Sequence, residues 1–361
     1  MRALVIYRVD ISNLANQGVS KKMQGHVYGL TQNGYEVDVI YISENGLYLN
    51  QNCLCIFNKN SVSRGIFKAR TFYKVIKARI DAGMYDLVLF RFHLVMEGMI
   101  RLFAMLKSHS PSIKIIIDMP TYPYEQEWKG ARGKLLLKID EKNRQRLSKY
   151  VDLMIHYGKE EEIWGIPCIN STNGIITAKA PLRIKERSDK LELLAVGKWA
   201  YWHGLDRIIY GVSESEIDLH LTIVGVGPES DHLTKLVKEL SLENRVSFED
   251  NLIGESLNRA FDKADIGIGT LGIQRKGVML DSSLKHRDYC SRGLPFILGS
   301  EDIDFPELLG FVKYFPGDGP IDIGQVLQFY ESTKGVEERM MVYAERHLDW
   351  AVKMKEVVDA L

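Results

Sequence analysis

Short apolar runs alternate with stretches of helical spacing along most of the chain. Residues 3–7 form a first apolar run, and a helix over about 21–33 ends at Gly34, a residue suited to the position after a helix. A strand over 36–41 follows, and Cys53-Leu54-Cys55 reads as part of another. Further strands are expected at 85–91, 113–118, 151–155 and 166–169. Asn173-Gly174-Ile175 and the polar run to Lys190 read as a linker. A second series then begins, with strands at 191–196, 220–224, 245–248, 264–269 and 296–298. Helices starting near 205, 231, 255 and 284 separate them, and a last helix runs over about 337–361. Strand–helix alternation of this kind predicts an α/β protein with two Rossmann-like doubly wound domains. The predicted domains are 1–175, 176–335 and a terminal segment 336–361.

The chain is organised around Gly272 to Pro295, GIQRKGVMLDSSLKHRDYCSRGLP. A basic, glycine-bearing loop with Arg275, Lys276 and Gly277 leads to Ser282 and Ser283, two candidate N-caps for the helix near 284–291. Lys285, His286 and Arg287 fall in its first turn, where the helix dipole is already positive. Each cation there costs about 0.3–1 kcal/mol unless an anion compensates. A phosphate or diphosphate on the free N–H groups of the helix start would do so. Asp288 then lies within reach of a ribose hydroxyl; the plainer alternative is a surface pair between Lys285 and Asp288.

A second loop, Gly197-Lys198-Trp199-Ala200-Tyr201-Trp202-His203-Gly204, follows the same logic. Lys198 and His203 are cations beside a glycine-framed helix start, and the three rings suit a base or a sugar. The alternative is a hydrophobic staple with polar groups at the surface. Gly225-Val226-Gly227-Pro228 marks another strand-to-helix switch of the same domain. Two basic loops at separate switch points in one domain point to convergence on a diphosphate.

In the first half, Gly18 lies in the first crossover, as a close-approach or a turn glycine. The loop 119–128 follows a strand end, where doubly wound sheets gather ligands, and is rich in aromatic and acidic side chains suited to a sugar. Asp118, Glu125 and Glu127 are candidate acid, base or acceptor-binding groups, with Tyr122 and Tyr124 as stacking rings. Residues 64–80 carry Arg64, Lys68, Arg70, Lys74, Lys77 and Arg79 with no acid, interleaved with apolar residues. Such a helix fits an anionic membrane face or a domain helix with a solvated basic side.

Composition narrows the classes. With 361 residues, 45% hydrophobic and 26% charged, the chain has the profile of a globular protein of two domains. Lys and Arg together number 47, as do Asp and Glu, which argues against general nucleic-acid binding. The four cysteines are too scattered for a disulfide framework or a zinc site. The N-terminus runs straight into a strand without a signal-peptide layout, and no apolar run approaches about 18 residues. A cytosolic protein, at most peripheral on a membrane surface, is expected.

Taken together, these stretches resemble the retaining family-4 glycosyltransferases of the GT-B fold over nearly the whole chain. The organising stretch is similar to the segment carrying that family's E-x7-E motif and G-x-P helix end, with Asp288 where the second Glu falls. Gly197-Lys198 and His203-Gly204 resemble the G-R…K-G pair that binds the nucleotide diphosphate, and Gly225-Val226-Gly227-Pro228 resembles the family's strand-end turn. Asn16-Gln17-Gly18-Val19-Ser20-Lys21-Lys22 and Pro120-Thr121-Tyr122-Pro123-Tyr124 are similar to bacterial capsule and O-antigen members. Two positions depart: His203 replaces a Lys, so its charge near neutral pH depends on the diphosphate, and Leu280 stands at the first Glu, beside the donor sugar.

The resemblance implies two domains facing a central cleft, the first for acceptor and the second for a nucleotide diphosphate sugar of UDP or GDP type. It implies a terminal helix that packs back on the first domain, and neither metal nor cofactor. Lys198, Arg275 and Lys285, with Asp118 in the first domain, are the implied catalytic groups. The implied donor-binding set is Gly18, Gly197, Lys198, His203, Gly227, Arg275, Lys276, Ser282, Ser283, Leu284, Lys285 and Asp288. The acceptor set is Tyr122, Tyr124, Glu125 and Glu127, for a glycan or lipid-linked glycan in bacterial surface polysaccharide synthesis. Retention implies front-face attack by the acceptor hydroxyl. A sugar-nucleotide epimerase and a non-catalytic partner subunit are the alternatives.

Overall fold

The computed structural model describes residues 1–13, 16–44, 46–57, 64–181, 183–184, 188–277 and 281–361, apart from the side chains of 64–69, 127 and 179. Two compact units divide it: Met1–Thr172 with Trp350–Leu361, and Asn173–Asp349.

In the first unit, β1 (Arg2–Asp10), β5 (Leu87–Arg91) and β6 (Lys114–Met119) are apolar on both faces, as central parallel strands require. They join β2 (Glu36–Ser43), β3 (Gly46–Leu49), β4 (Asn52–Ile56), β7 (Leu153–His156), β8 (Glu162–Ile163) and β9 (Ile166–Asn170). The sheet order is β4-β3-β2-β1-β5-β6-β7-β9-β8, parallel except where β3, β4 and β8 add antiparallel edges. Helices α1 (Gln17–Gln32), α2 (Arg64–Arg79), α3 (Glu97–His109) and α4 (Gly130–Arg144) belong to this unit. The expected first helix thus begins four residues earlier than its apolar spacing suggests.

The terminal helix Trp350–Asp359 packs on α1 because α1 is notched there. A Cβ on Gly25 would lie 2.1 Å from the Trp350 indole nitrogen, and one on Gly29 2.4 Å from the Trp350 carbonyl oxygen. The His26 ring meets the same indole edge-on at 4.8 Å.

The second unit is a six-stranded parallel sheet, ordered β12-β11-β10-β13-β14-β15. Its strands are β10 (Leu191–Val196), β11 (Leu219–Val224), β12 (Val246–Glu249), β13 (Ile266–Ile268), β14 (Phe296–Leu298) and β15 (Val312–Tyr314). Helices α5 (Leu205–Glu214), α6 (Ser230–Glu239), α7 (Glu255–Lys263), α8 (Leu284–Ser291), α9 (Ile323–Ser332) and α10 (Glu337–Tyr343) complete it. Leu191, Leu193, Leu221 and Ile223 fill one core with Ile208, Ile209 and Val212 of α5; Leu194, Tyr289 and Phe296 belong to a second core.

The expected single helix over 337–361 is instead two helices. Residues Ala344–Leu348 form a π turn, and Asp349 is extended (φ −64°, ψ 138°). Its carboxylate accepts the Thr177 N–H at 2.9 Å, and Ile175 pairs with Asp349 in an isolated parallel bridge. Met340, Ala344 and Leu348 therefore pack in the second unit, and only the residues after Asp349 join the first. The unit divisions fall after 172 and 349, where the sequence reading places them after 175 and 335.

Candidate functional site

In the second unit, the loops leaving β10, β11 and β13 are locked together through glycine. Gly225 has φ +106°, and a Cβ there would lie 2.0 Å from the Gly197 carbonyl oxygen; one on Gly227 would lie 2.1 Å from that of Trp199. Gly204 opens α5 at φ +65°, and its Cβ would meet the Gly272 nitrogen at 2.8 Å, where the Leu271 N–H donates to the His203 carbonyl at 2.9 Å. Gly204, Gly225 and Gly227 are thus required for backbone to pass backbone.

Trp199, 1% exposed, fills the space beneath these loops, and its indole N–H has no partner among the described residues. The Lys285 amine sits 5.3 Å from the centre of that ring. Its stem is half-buried, but Nζ is fully enclosed and makes no hydrogen bond among the described residues. Burial lowers its pKa to about 8, with Asp281 acting in the opposite sense. Leu284 and Lys285 open α8 behind Ser283, whose side chain does not cap the helix. An uncapped helix start beside a buried, unpaired amine is an anion-binding arrangement.

The other cations expected here are otherwise engaged. His286 donates from Nδ1 to Asp302 at 2.9 Å and accepts the Thr270 N–H on Nε2 at 3.2 Å. Arg287, fully buried, pairs with Asp302 and Asp304 and donates to the Asn173 carbonyl at 2.9 Å. Arg275, expected among the catalytic and diphosphate-binding groups, forks onto Asp206 at 2.7 and 2.9 Å and reaches Asp318 at 2.7 Å. Those carboxylates neutralise it, so its role is to clamp the loop after β13 to α5.

His203 differs from its expected cationic role. Its Nδ1 accepts the Ala200 N–H at 2.9 Å, which leaves the ring hydrogen on Nε2. Burial, followed by the charge of Lys285, lowers its pKa to about 3. It is a neutral hydrogen-bond donor at physiological pH.

Lys198 and Lys276 are exposed, with the Lys276 amine 5.3 Å from the centre of the Trp202 ring. Asp288, expected at the ribose, is bound by the Arg292 Nε at 2.8 Å and makes no pair with Lys285. Ser282 does not cap α8: its hydroxyl accepts the Asn173 N–H at 2.8 Å, and its carbonyl accepts the Asn173 side-chain amide at 2.6 Å. Leu280 lies outside the described residues. Sequence reasoning missed Trp199 as the floor beneath Lys285 and Asn173 as the anchor of Ser282. A cation opposite a tryptophan in two glycine-framed loops was the available signal for the first; the second had none.

In the first unit, Asp118 is fully buried between Lys22 (3.0 Å), Arg91 (2.9 Å) and the Tyr157 hydroxyl (3.0 Å). Burial opposes its charge, but Lys22, His26 and Arg91 outweigh that and hold it well below the usual carboxylate range. It is occupied by two cations and is unsuited to be a catalytic base. Tyr124, expected to stack on acceptor, is 2% exposed and donates to Asp140 at 2.5 Å. Glu125 pairs with Arg144 at 2.9 Å. Tyr122 is half-buried among His156 and Trp164, the side chain of Glu127 lies outside the description, and Gly18 is exposed near the start of α1.

A groove of about 500 Å³ also lies on the second unit's sheet, floored by Glu192, His220, Thr222, Ser247 and Glu249. It contains none of the expected site residues, and His220 and Ser247 bond each other across it at 2.9 Å. Among the described residues no three His, Cys, Asp or Glu side chains form a metal-binding group, and no helix is long and apolar enough to cross a membrane.

No family model matches the sequence, and no curated protein matches it. Solved structures do match the fold. Sucrose-phosphate synthase from Thermosynechococcus elongatus is similar at 13% identity and a TM-score of 0.66, over 99% of this chain and 98% of that one. Anabaena HepE in complex with UDP is similar at 10% identity and a TM-score of 0.64, over the whole of both chains. A putative UDP-N-acetylglucosamine 2-epimerase from Listeria monocytogenes matches at 13% identity and a TM-score of 0.56, over 99% of this chain and 95% of that one. The chain therefore has the two-domain, Rossmann-like GT-B fold.

Proposed function

We propose that this protein transfers a sugar from a nucleotide diphosphate sugar, of UDP or GDP type, to a glycan or lipid-linked glycan acceptor. The observation that carries the reading is the Lys285 amine, enclosed and without a hydrogen bond among the described residues, beside the uncapped start of α8. A diphosphate on that helix start gives the amine its missing partner. As the glycosidic bond breaks, negative charge grows on the leaving diphosphate, and fixed donors are most effective where charge develops. Lys285 and the helix N–H groups supply that field, Lys198 adds a mobile cation, and His203 adds a neutral N–H. Asp288, oriented by Arg292, is the group we assign to the ribose hydroxyls. The HepE structure, described as a complex with UDP, favours a UDP-type donor.

The first unit is the proposed acceptor side. Retention by front-face attack, action without a metal and a place in bacterial surface polysaccharide synthesis are carried by the family-4 resemblance. Arg70, Lys74, Lys77 and Arg79, exposed on α2, support peripheral contact with an anionic membrane from the cytoplasm.

A thermal-shift panel with UDP, GDP, ADP, TDP and CMP, without and with Mg²⁺, tests the reading. A ligand at a hundred times its dissociation constant stabilises the protein by about 2.7 kcal/mol. One nucleotide is expected to stand out and to lose its effect in Lys285→Ala; no response to any of the five overturns the proposal. Sugar-nucleotide turnover in the absence of acceptor identifies an epimerase instead.

A further inference from the structure

We propose that the first unit carries a second anion site, formed by Arg8, Tyr73 and His93, that holds an oxyanion on the acceptor. The word acceptor rests on the transferase reading; the site itself does not. Arg8 lies two residues before the end of β1, and His93 two residues after β5, at the carboxyl edge where doubly wound sheets bind ligands. Tyr73 reaches this edge from α2.

These side chains share an unusual condition. Among the described residues, Arg8 Nη1, the Tyr73 hydroxyl and His93 Nδ1 are each buried without a well-formed hydrogen bond, although the Arg8 side chain approaches the Tyr73 hydroxyl. Nearby cations have theirs: Lys22 and Arg91 both lie on Asp118. Arg8 pairs with no carboxylate among the described residues. Its charge is felt by both companions, against burial at the Tyr73 hydroxyl and together with burial at His93, whose pKa falls to about 4. His93 is therefore neutral, and its Nδ1 offers an N–H in one of the two ring tautomers.

The geometry is fixed by packing. Tyr73 is 3% exposed, and a Cβ on Gly98 would lie 2.5 Å from its ring, so glycine at the start of α3 makes its berth. His93 meets the Trp128 ring at 5.9 Å. The guanidinium and the phenol are donors here, and so is the imidazole with its hydrogen on Nδ1. Leaving buried donors unpaired is costly, a neutral hydroxyl leaves the Arg8 charge unmatched, and a cation is repelled. An oxyanion satisfies all three. Carboxylate, phosphate and sulfate groups share that chemistry.

The test titrates the full-length protein with inorganic phosphate, sulfate and glucuronate at an ionic strength held constant with KCl, reading the melting temperature. Saturable stabilisation by at least one probe is expected, and the strongest names the group. Arg8→Gln is expected to weaken it about tenfold or more, the loss typical of one charge-assisted hydrogen bond. Tyr73→Phe, which keeps the ring in its berth, is expected to weaken it by a smaller factor. Both variants should keep the wild-type response to UDP, which shows that they are folded. Absence of a saturable response in the wild type, or equal dissociation constants in wild type and Tyr73→Phe, overturns the site. Failure of all five nucleotides, with the oxyanion response intact, removes the transferase reading and leaves the site standing.

Discussion

The amine of Lys285 lies 5.3 Å from the centre of the Trp199 ring and donates no hydrogen bond among the described residues. The ring face attracts a cation but leaves its three N–H donors unused. Lys285→Met keeps the stem and removes the charge, and should weaken nucleotide diphosphate binding by about 10- to 100-fold, the value of a hydrogen bond to a charged group. Calorimetric titration with UDP checks this.

The same amine sets a pH dependence. Its pKa is about 8 in the folded protein against 10.5 for the unperturbed group, so the unfolded chain holds the proton longer. Stability without ligand should therefore rise with pH between about 8 and 10.5. Lys22, also lowered to about 8 by burial, contributes with the same sign. Nucleotide affinity should move the other way, falling above pH 8 as the ammonium is lost. Lys285→Met should flatten part of the stability rise, which denaturant titrations at several pH values measure.

On the acid side, His203 and His26 are lowered to about 3 and His93 to about 4, chiefly by burial. In the unfolded chain they take up protons near pH 6.5, so stability is retained above that pH and lost as pH falls toward 4. Each contributes at most about 1.4 kcal/mol per pH unit. His203→Gln should give a shallower decline in melting temperature between pH 6.5 and 4; an unchanged slope would show that His203 is protonated in the folded state.

Asp118→Asn leaves Lys22 and Arg91 enclosed without their carboxylate. Breaking a buried pair in this way typically costs about 3–5 kcal/mol. Denaturant unfolding should show a loss of that order. A variant that keeps wild-type stability but loses turnover would restore Asp118 as a catalytic group.

Gly29→Ala places a methyl 2.4 Å from the Trp350 carbonyl oxygen and 2.5 Å from Met354. Overpacking of this kind costs about 1–3 kcal/mol. The melting temperature should fall, and trimming Met354→Ala in the same chain should recover less than the full loss, because the backbone oxygen remains.

Alternation of apolar runs with helical spacing was enough to read the parallel strands of both sheets except β15, since buried central strands are apolar on both faces. β15 is a three-residue edge strand too short to show a pattern. The antiparallel β3 and β4 were only partly legible: Asn50, at φ 53°, turns the chain without a glycine to signal it. The break at Asp349 depends on Ile175 and Thr177, more than 170 positions away. The site divides in the same way. Sequence identified Lys285 as a cation at a helix start, because that is a local property. It could not reveal that Arg275 belongs to Asp206, 69 positions away, or Tyr124 to Asp140, on a different element 16 positions away, because neither pairing follows from a local pattern.

The bridge between Ile175 and Asp349 brings the entry and exit of the second unit side by side. In genetic terms that unit is an insertion within the first, whose chain resumes at Trp350. A fragment spanning 173–349 has ends already positioned for head-to-tail cyclisation, and a start at 176 would discard Asn173, the residue that holds Ser282 ahead of α8.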